Sequence, residues 1–273
     1  MTKRRIPPHS RRQVASAILL VGLCLSAFLV LTPPNLLTKG DMVGYAVCHR
    51  IPSHSFFFAG RQLPLCARCT GSFVGALVGL FGQAVVLGRR RASDFPSIPM
   101  MAILIGFILL MGVDGANSYL GMRSDGFALY EPRQWLRLVT GALNGLALSG
   151  LTFPVLNLSL WENPPQRPAI RDWRDLGVML LVEAGVVSLV LSGWPPLLYP
   201  LALLSAAGVV TLLTAVNAVL VMVVMGWENQ YRRWREAVTP LFVGFAVTLI
   251  EIGLIDLVRY AATGTLEGLP GLS

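Results

Sequence analysis

Seven apolar segments, separated by short polar or proline-rich connections, decide what this chain can fold into. They cover residues 14–31, about 70–88, 98–119, 136–158, 176–192, 199–226 and 240–261. About 18 apolar residues suffice for a helix to cross the hydrocarbon core of a bilayer. Lipid offers backbone amides no hydrogen-bond partner, so a crossing segment must satisfy them internally. The chain is 54% hydrophobic and 13% charged, against about 25% charged residues in a soluble domain. These features predict an all-α, polytopic membrane helix bundle of about seven transmembrane helices, in contact with the lipid bilayer.

Orientation follows from the arginines. The first run follows a basic stretch, KRRIPPHSRR, and no small-residue cleavage site comes after it, so it reads as a retained span and not as a signal peptide. With the N-terminus cytoplasmic, fourteen of the 22 Lys and Arg fall on the inner side, at least three in every inner segment. The expected topology is therefore N-in and C-out in the cell membrane. The net charge of +8 is explained by this clustering at span ends, and no nucleic-acid-binding signature accompanies it. We expect a basic tail (1–13), a four-span core (14–158) with an extracytoplasmic loop at 32–69, and a three-span extension (159–273) in the same bundle. Gly71, Gly75 and Gly79, and likewise Gly141 and Gly145, recur every fourth residue. Such stripes allow close helix approach, either within the bundle or across a homodimer face.

The loop holds the chemistry. Residues 48–71 read CHRIPSHSFFFAGRQLPLCARCTG and contain three of the four cysteines and two of the three histidines. Cys66 and Cys69 form a CxxC just ahead of a helix, with Thr70 as the expected N-cap. The helix N-terminus and Arg68 both favour thiolates there. Cys48, His49, Cys66 and Cys69 make up a Cys3His set of the kind that binds zinc tetrahedrally, and His54 is the alternative imidazole. Two other readings stay open. One is a disulfide staple from Cys48 to a CxxC sulfur, which leaves an odd thiol. The other is a redox-active CxxC exchanging with Cys48. Cys24, inside the first span, reads as a small buried hydrophobe, and His9 belongs to the basic tail. Phe56, Phe57 and Phe58 read as an anchor at the membrane–water boundary.

At these residues the sequence resembles the domain-of-unknown-function 2085 family, predicted membrane proteins of bacteria and archaea. The string CHR…SFFFAGRQLPLCARCTG matches the first hallmark of that family. The second is an Asp-Gly pair ending the third span, then L-R-x-x-T-G opening the fourth; here these are Asp114-Gly115 and Leu136-Arg137-Leu138-Val139-Thr140-Gly141. The resemblance covers about residues 45–150. It implies a membrane location and a shared cysteine/histidine site, and it brings no particular reaction with it.

Polar residues inside the spans gather at the depth of the loop: Asp114, Arg137, Asn144, Glu251 and Asp256. Intramembrane ionisable groups face a partner or a wet cavity. An Asp114–Arg137 ion pair joining spans three and four is the simplest expectation. The functional alternative makes Asp114 a partner of a liganding histidine or a base beside the metal, with Arg137 and Asn144 as further candidates. Glu183, in the fifth span, and Asn217, in the sixth, have no evident partner in the sequence. Metalloprotease, serine-hydrolase-elbow and nucleotide-binding motifs are absent, and no histidine lies within a span. Three functions therefore compete: a zinc-binding membrane protein, structural or water-activating; a thiol–disulfide oxidoreductase using the CxxC; and a non-catalytic subunit of a membrane complex with a disulfide-stapled docking loop.

Overall fold

The computed structural model describes residues 11–122 and 128–265; the basic tail up to residue 10, with His9, lies outside the described residues. Eight α-helices account for nearly all of the structure. They are α1 (Arg11–Leu31), α2 (Leu36–Val47), α3 (Ala67–Phe81, continued by a π-helical turn), α4 (Ile98–Gly121), α5 (Gln134–Leu160), α6 (Trp173–Leu191), α7 (Leu198–Met225) and α8 (Trp234–Thr263). A two-residue hairpin, β1 (Phe57–Phe58) and β2 (Arg61–Gln62), is the only sheet among the described residues.

Six of these helices are long and apolar enough to cross a membrane: α1, α3 with its π-turn, α4, α5, α7 and α8. The fifth expected span, α6, is more polar because it carries Arg174, Asp175 and Glu183. Its ends nevertheless touch opposite ends of the bundle. Asp175 pairs with Arg89 at one end, and Val190 packs with Leu37, Phe58 and Leu63 at the other. Nineteen residues rise about 28 Å, close to the hydrocarbon thickness, so α6 traverses the same depth as its neighbours. The protein is an all-α, multi-pass membrane helix bundle.

The centre of the bundle is the α3–α5 pair. The two glycine stripes face each other within one chain: a Cβ added to Gly75 would lie 2.7 Å from the Ala142 carbonyl oxygen, and Gly141 and Gly145 press against Arg68 and Ser72. Small residues here let the backbones touch, and the stripes are thereby consumed inside the bundle. Around this seam α4 packs on α5, α6 on both helices, and α7 on α2, α3, α5 and α8.

The two ends of the bundle are built differently. At one end Arg89 bonds Asp175 and the Ala169 carbonyl, Arg232 pairs with Glu162, and Arg91 sits 4.1 Å above the Trp161 ring. There the connection after α7 is tied to the end of α5 by Tyr231 N–H donating to Leu160 O (3.1 Å) and Asn229 N–H to Ser159 O (2.8 Å), and the connection after α3 to the one after α5 by Asp94 N–H donating to Arg167 O (3.3 Å). The opposite end carries α2, the hairpin and the cysteines. The α2 helix was not expected inside the 32–69 loop. Asn35 caps it by accepting from Leu37 N–H at 2.9 Å, and Leu37, Val43 and Tyr45 are buried against the bundle. The phenylalanine run divides: Phe58 is buried in the core and Phe57 is exposed.

Candidate metal centre

Three segments place the cysteines. Cys48 follows the last turn of α2, Cys66 is the residue that precedes and caps α3, and Cys69 lies in the first turn of α3. The helix thus starts four residues earlier than a Thr70 cap would give. Thr70 is already inside it, with its N–H on Cys66 O (2.8 Å) and its hydroxyl donating to Leu65 O (3.2 Å). A tight turn after Cys48 uses Arg50 in the left-handed region (φ 52°), a conformation that costs a non-glycine residue energy and must be held by its surroundings. Arg50 is held by Asp41 (2.9 Å), which also binds Arg61 (2.8 Å), and by Gln62, which donates to the Arg50 carbonyl (3.0 Å). The type of turn linking β1 to β2 through Ala59 and Gly60, both at positive φ, is the one that matches strand twist. It brings Gln62 back over Arg50.

The three sulfurs lie within 4.8 Å of one another. Cys48 and Cys66 are 4% and 2% exposed, and none of the cysteines is bonded to another. The Cys48 sulfur accepts from the Cys66 N–H (3.2 Å) and the Arg50 N–H (3.4 Å). Donation from the Cys66 and Cys69 thiols, reinforced by these two amides, holds the Cys48 thiol well below its ordinary value. The same bond, read from the donor, pushes the Cys66 thiol up. One sulfur therefore carries the first negative charge and the other two share their protons with it. Such a nest of soft donors suits a thiophilic cation.

His49 and His54 have their rings 5.7 Å apart and edge to face, but neither joins the three sulfurs in the group whose donor atoms all lie within 4.8 Å of one another. Burial lowers the pKa of both, and that of His54 falls to about 4, so both imidazoles are neutral near pH 7. The His49 Nδ1 accepts from Ile51 N–H at 3.1 Å, so metal binding through that nitrogen would have to displace the amide. Around the sulfurs Val43, Leu65, Val209 and Ile252 form a dry wall. From α8, Arg259 donates to the carbonyls of Tyr45 and Cys48 and stacks on the Tyr45 ring.

Beside the cysteines stands a second buried cluster, and here the expected ion pair is corrected. Asp114, 1% exposed, pairs with Arg68 of the CxxC and not with Arg137. Arg68 donates through Nε (2.9 Å) and Nη2 to the carboxylate, and through Nη2 to the Asp114 carbonyl (3.0 Å) and the Ser118 hydroxyl (2.9 Å). Tyr130 donates to the other carboxylate oxygen (2.9 Å). Arg137 reaches only the Ser118 hydroxyl, at 3.5 Å, and among the described residues no carboxylate lies within ion-pair distance of it. The reason is geometric: from the first turn of α3 the long Arg68 side chain reaches across to Asp114 and Ser118 of α4. Asn117 holds residues 129–130 in place by accepting from Leu129 N–H (2.6 Å) and donating to Tyr130 O (2.9 Å). Neither Tyr130 nor Asn117 carries a sequence signal that singles it out. Asn144 lies deeper and donates to the Ser72 hydroxyl (3.3 Å), tying α5 to α3. Asn217 binds Thr248 (3.0 Å) and Glu251 (2.9 Å) on α8, and Glu183 is not part of either cluster.

A bundle of membrane-length apolar helices that gathers three unbonded thiols at one end defines a multi-pass membrane protein with a metal-capable cysteine centre. The chain belongs to the family of predicted membrane proteins designated DUF2085, whose model matches residues 48–151. It is 32% identical over 109 residues to an uncharacterized protein of Methanocaldococcus jannaschii, a match that covers 40% of this chain and 63% of that one. A protein of Methanothermobacter thermautotrophicus is 30% identical over 114 residues, covering 42% of this chain and 91% of the relative. The chain thus spans under two thirds of the first relative and nearly all of the second. No solved structure matches it.

Proposed function

We propose that this is a zinc-binding membrane protein whose metal is held by Cys48, Cys66 and Cys69, with His49 turning in as the fourth ligand. The observation that carries the reading is the convergence of three unbonded sulfurs, two buried and one half-buried, within 4.8 Å of one another. Ligands at about 2.3 Å from a tetrahedral zinc need sulfurs about this close, so little rearrangement is required. Two amides already point at Cys48, which favours thiolates before any metal arrives.

With four protein ligands the site is closed, and its role is to staple the 48–66 loop to the head of α3. Asp114 supports that role by clamping Arg68 between the two CxxC sulfurs. Its carboxylate is fully used by Arg68 and Tyr130, which argues against service as a base for a metal-bound water. The positive-inside pattern supports an extracytoplasmic cysteine end, and the packing of the three-helix extension on α2, α3 and α5 supports reading it as part of one bundle. On that oxidising side, metal binding keeps three thiolates from pairing as disulfides.

A second reading, thiol–disulfide exchange, is favoured by one observation: a depressed Cys48 thiol stands within reach of a CxxC. One experiment separates the two. Elemental mass spectrometry on detergent-purified protein should give about one zinc per chain, lost in Cys66→Ser/Cys69→Ser, with all loop thiols reactive after chelation. No zinc, together with a disulfide that exchanges with a small dithiol, would establish the redox reading instead. X-ray absorption on the loaded protein and His49→Ala would then identify the fourth ligand.

A further inference from the structure

Glu183 stands midway along α6, 3% exposed, and neither carboxyl oxygen has a hydrogen-bond partner. It lines a small cavity of about 10 Å³ where α6 meets the α3–α5 seam. Thr70 contributes the only other polar side chain; glycines, alanine, valines and Leu138 complete the walls. That volume is about what one water occupies. The Thr70 hydroxyl spends its proton on Leu65 O, so its oxygen remains free to accept from a water.

An ionised carboxylate in this position would be surrounded by hydrocarbon on every side. None of the cavity-lining residues from α3, α5 or α6 other than Glu183 is charged or titratable. The nearest such groups in sequence are Cys69, beside Thr70, and Arg137, beside Leu138, whose Nε is directed at Ser118. Burying an unpaired charge costs several kcal/mol, whereas a neutral carboxyl needs only a hydrogen-bond partner. We propose that Glu183 is a proton-binding site inside the bundle, a protonated carboxyl that holds a single water in the cavity it shares with Thr70. The site holds one proton on a carboxyl oxygen, and that O–H donates to the water. It stands independently of the metal centre.

A lipid-soluble carbodiimide tests this, because it adds only to a protonated carboxyl: the acid proton moves to one nitrogen, the carboxyl oxygen bonds the central carbon, and the acyl group then shifts from that oxygen to the other nitrogen, its acyl C–O bond breaking as the acyl C–N bond forms, to leave a stable N-acylurea. Full-length protein in detergent micelles, treated with dicyclohexylcarbodiimide at neutral pH, should carry an adduct that peptide mapping places on Glu183. The adduct should be absent from Glu183→Gln, which keeps the side-chain shape. Infrared spectra should show a protonated-carboxyl carbonyl band present in the wild type and missing from Glu183→Gln. Thr70→Val should move that band by removing the acceptor of the water. Adducts mapped only to other carboxyls, such as Glu251 or Asp256, or no carbonyl band assignable to Glu183, would overturn the proposal. Should Glu183→Gln fail to fold, the wild-type adduct map decides alone.

Discussion

Replacing Asp114 by Asn removes one negative charge from a site that holds two guanidinium groups, and its size is calculable from the contacts. The carboxylate is 1% exposed and accepts from Arg68 twice and from Tyr130 once. Arg137, 6% exposed, shares Ser118 with Arg68. An asparagine fits the space but removes the one carboxylate that pairs with Arg68 among the described residues. Breaking a buried ion pair from one side costs about 3–5 kcal/mol. For a chain of this size roughly 2–4 °C accompany each kcal/mol, so the unfolding midpoint should fall by about 6–20 °C.

Tryptophan fluorescence on heating purified protein in detergent reads this directly. Arg68→Met removes the other partner, and Asp114→Asn/Arg68→Met should be less destabilised than the two single changes added together, by more than about 1 kcal/mol. Because Arg68 lies between Cys66 and Cys69, Asp114→Asn should also weaken zinc binding about 10- to 100-fold, the usual cost of losing a support behind metal ligands. A midpoint shift under about 2 °C, or strict additivity in the double variant, would refute the reasoning. Either result would mean that water already screens the pair.

Three further outcomes follow from the same structure. Gly75→Leu should prevent folded protein from accumulating, since even a Cβ there would lie 2.7 Å from a backbone oxygen, whereas Gly185→Leu, with open space around it, should express normally; gel filtration in detergent compares them. The Tyr130 phenol is held above its ordinary value by burial and by the Asp114 carboxylate. Its stabilising contribution is complete below about pH 10 and is lost as pH rises through the elevated folded value, so an ultraviolet titration should lose one of its late phenolates in Tyr130→Phe, the other belonging to Tyr231, which burial also raises. Chelation should lower the unfolding midpoint of the zinc-loaded wild type and leave Cys66→Ser/Cys69→Ser unchanged, because a metal that binds only the folded form stabilises it by mass action.

Hydropathy alone revealed most of the helices, because a bilayer allows few other structures for an apolar run of that length. The cysteines were equally legible, since their side-chain chemistry does not depend on packing. What the sequence concealed was pairing. Asp114 and Arg137 sit in adjacent spans and looked like partners, but Arg68 was read for its effect on the thiols, and only the close α3–α5 contact shows it reaching across to α4. The α2 helix was hidden for a different reason. Its 12 residues include Lys39 and Asp41, so it is too short and too polar to read as a span and lay inside what looked like a loop. The cap at Thr70 misplaced the start of α3 because a threonine after a cysteine is the stronger local signal, while burial of Leu65 and Cys66 starts the helix at Ala67.

The cysteine centre also depends on parts of the chain that the family match does not reach. The match ends at residue 151, yet Val209 of α7 and Ile252 of α8 pack on Cys48 and Cys66, and Arg259 of α8 holds the Cys48 carbonyl at 2.8 Å. Gly208, also on α7, lies against the Phe73 backbone of α3, so α7 fixes the helix whose first turn carries Cys69. The relative from Methanothermobacter is matched over 91% of its length by a segment of this chain that covers only 42% of it. A protein of that size has little room for counterparts of α6, α7 and α8. In this chain α7 and α8 supply one side of the apolar wall around the sulfurs, facing Val43 and Leu65. The cysteine motif and part of its supporting wall are therefore separable in sequence but joined in the fold, and the donors belong to the shared segment while the extension completes their burial.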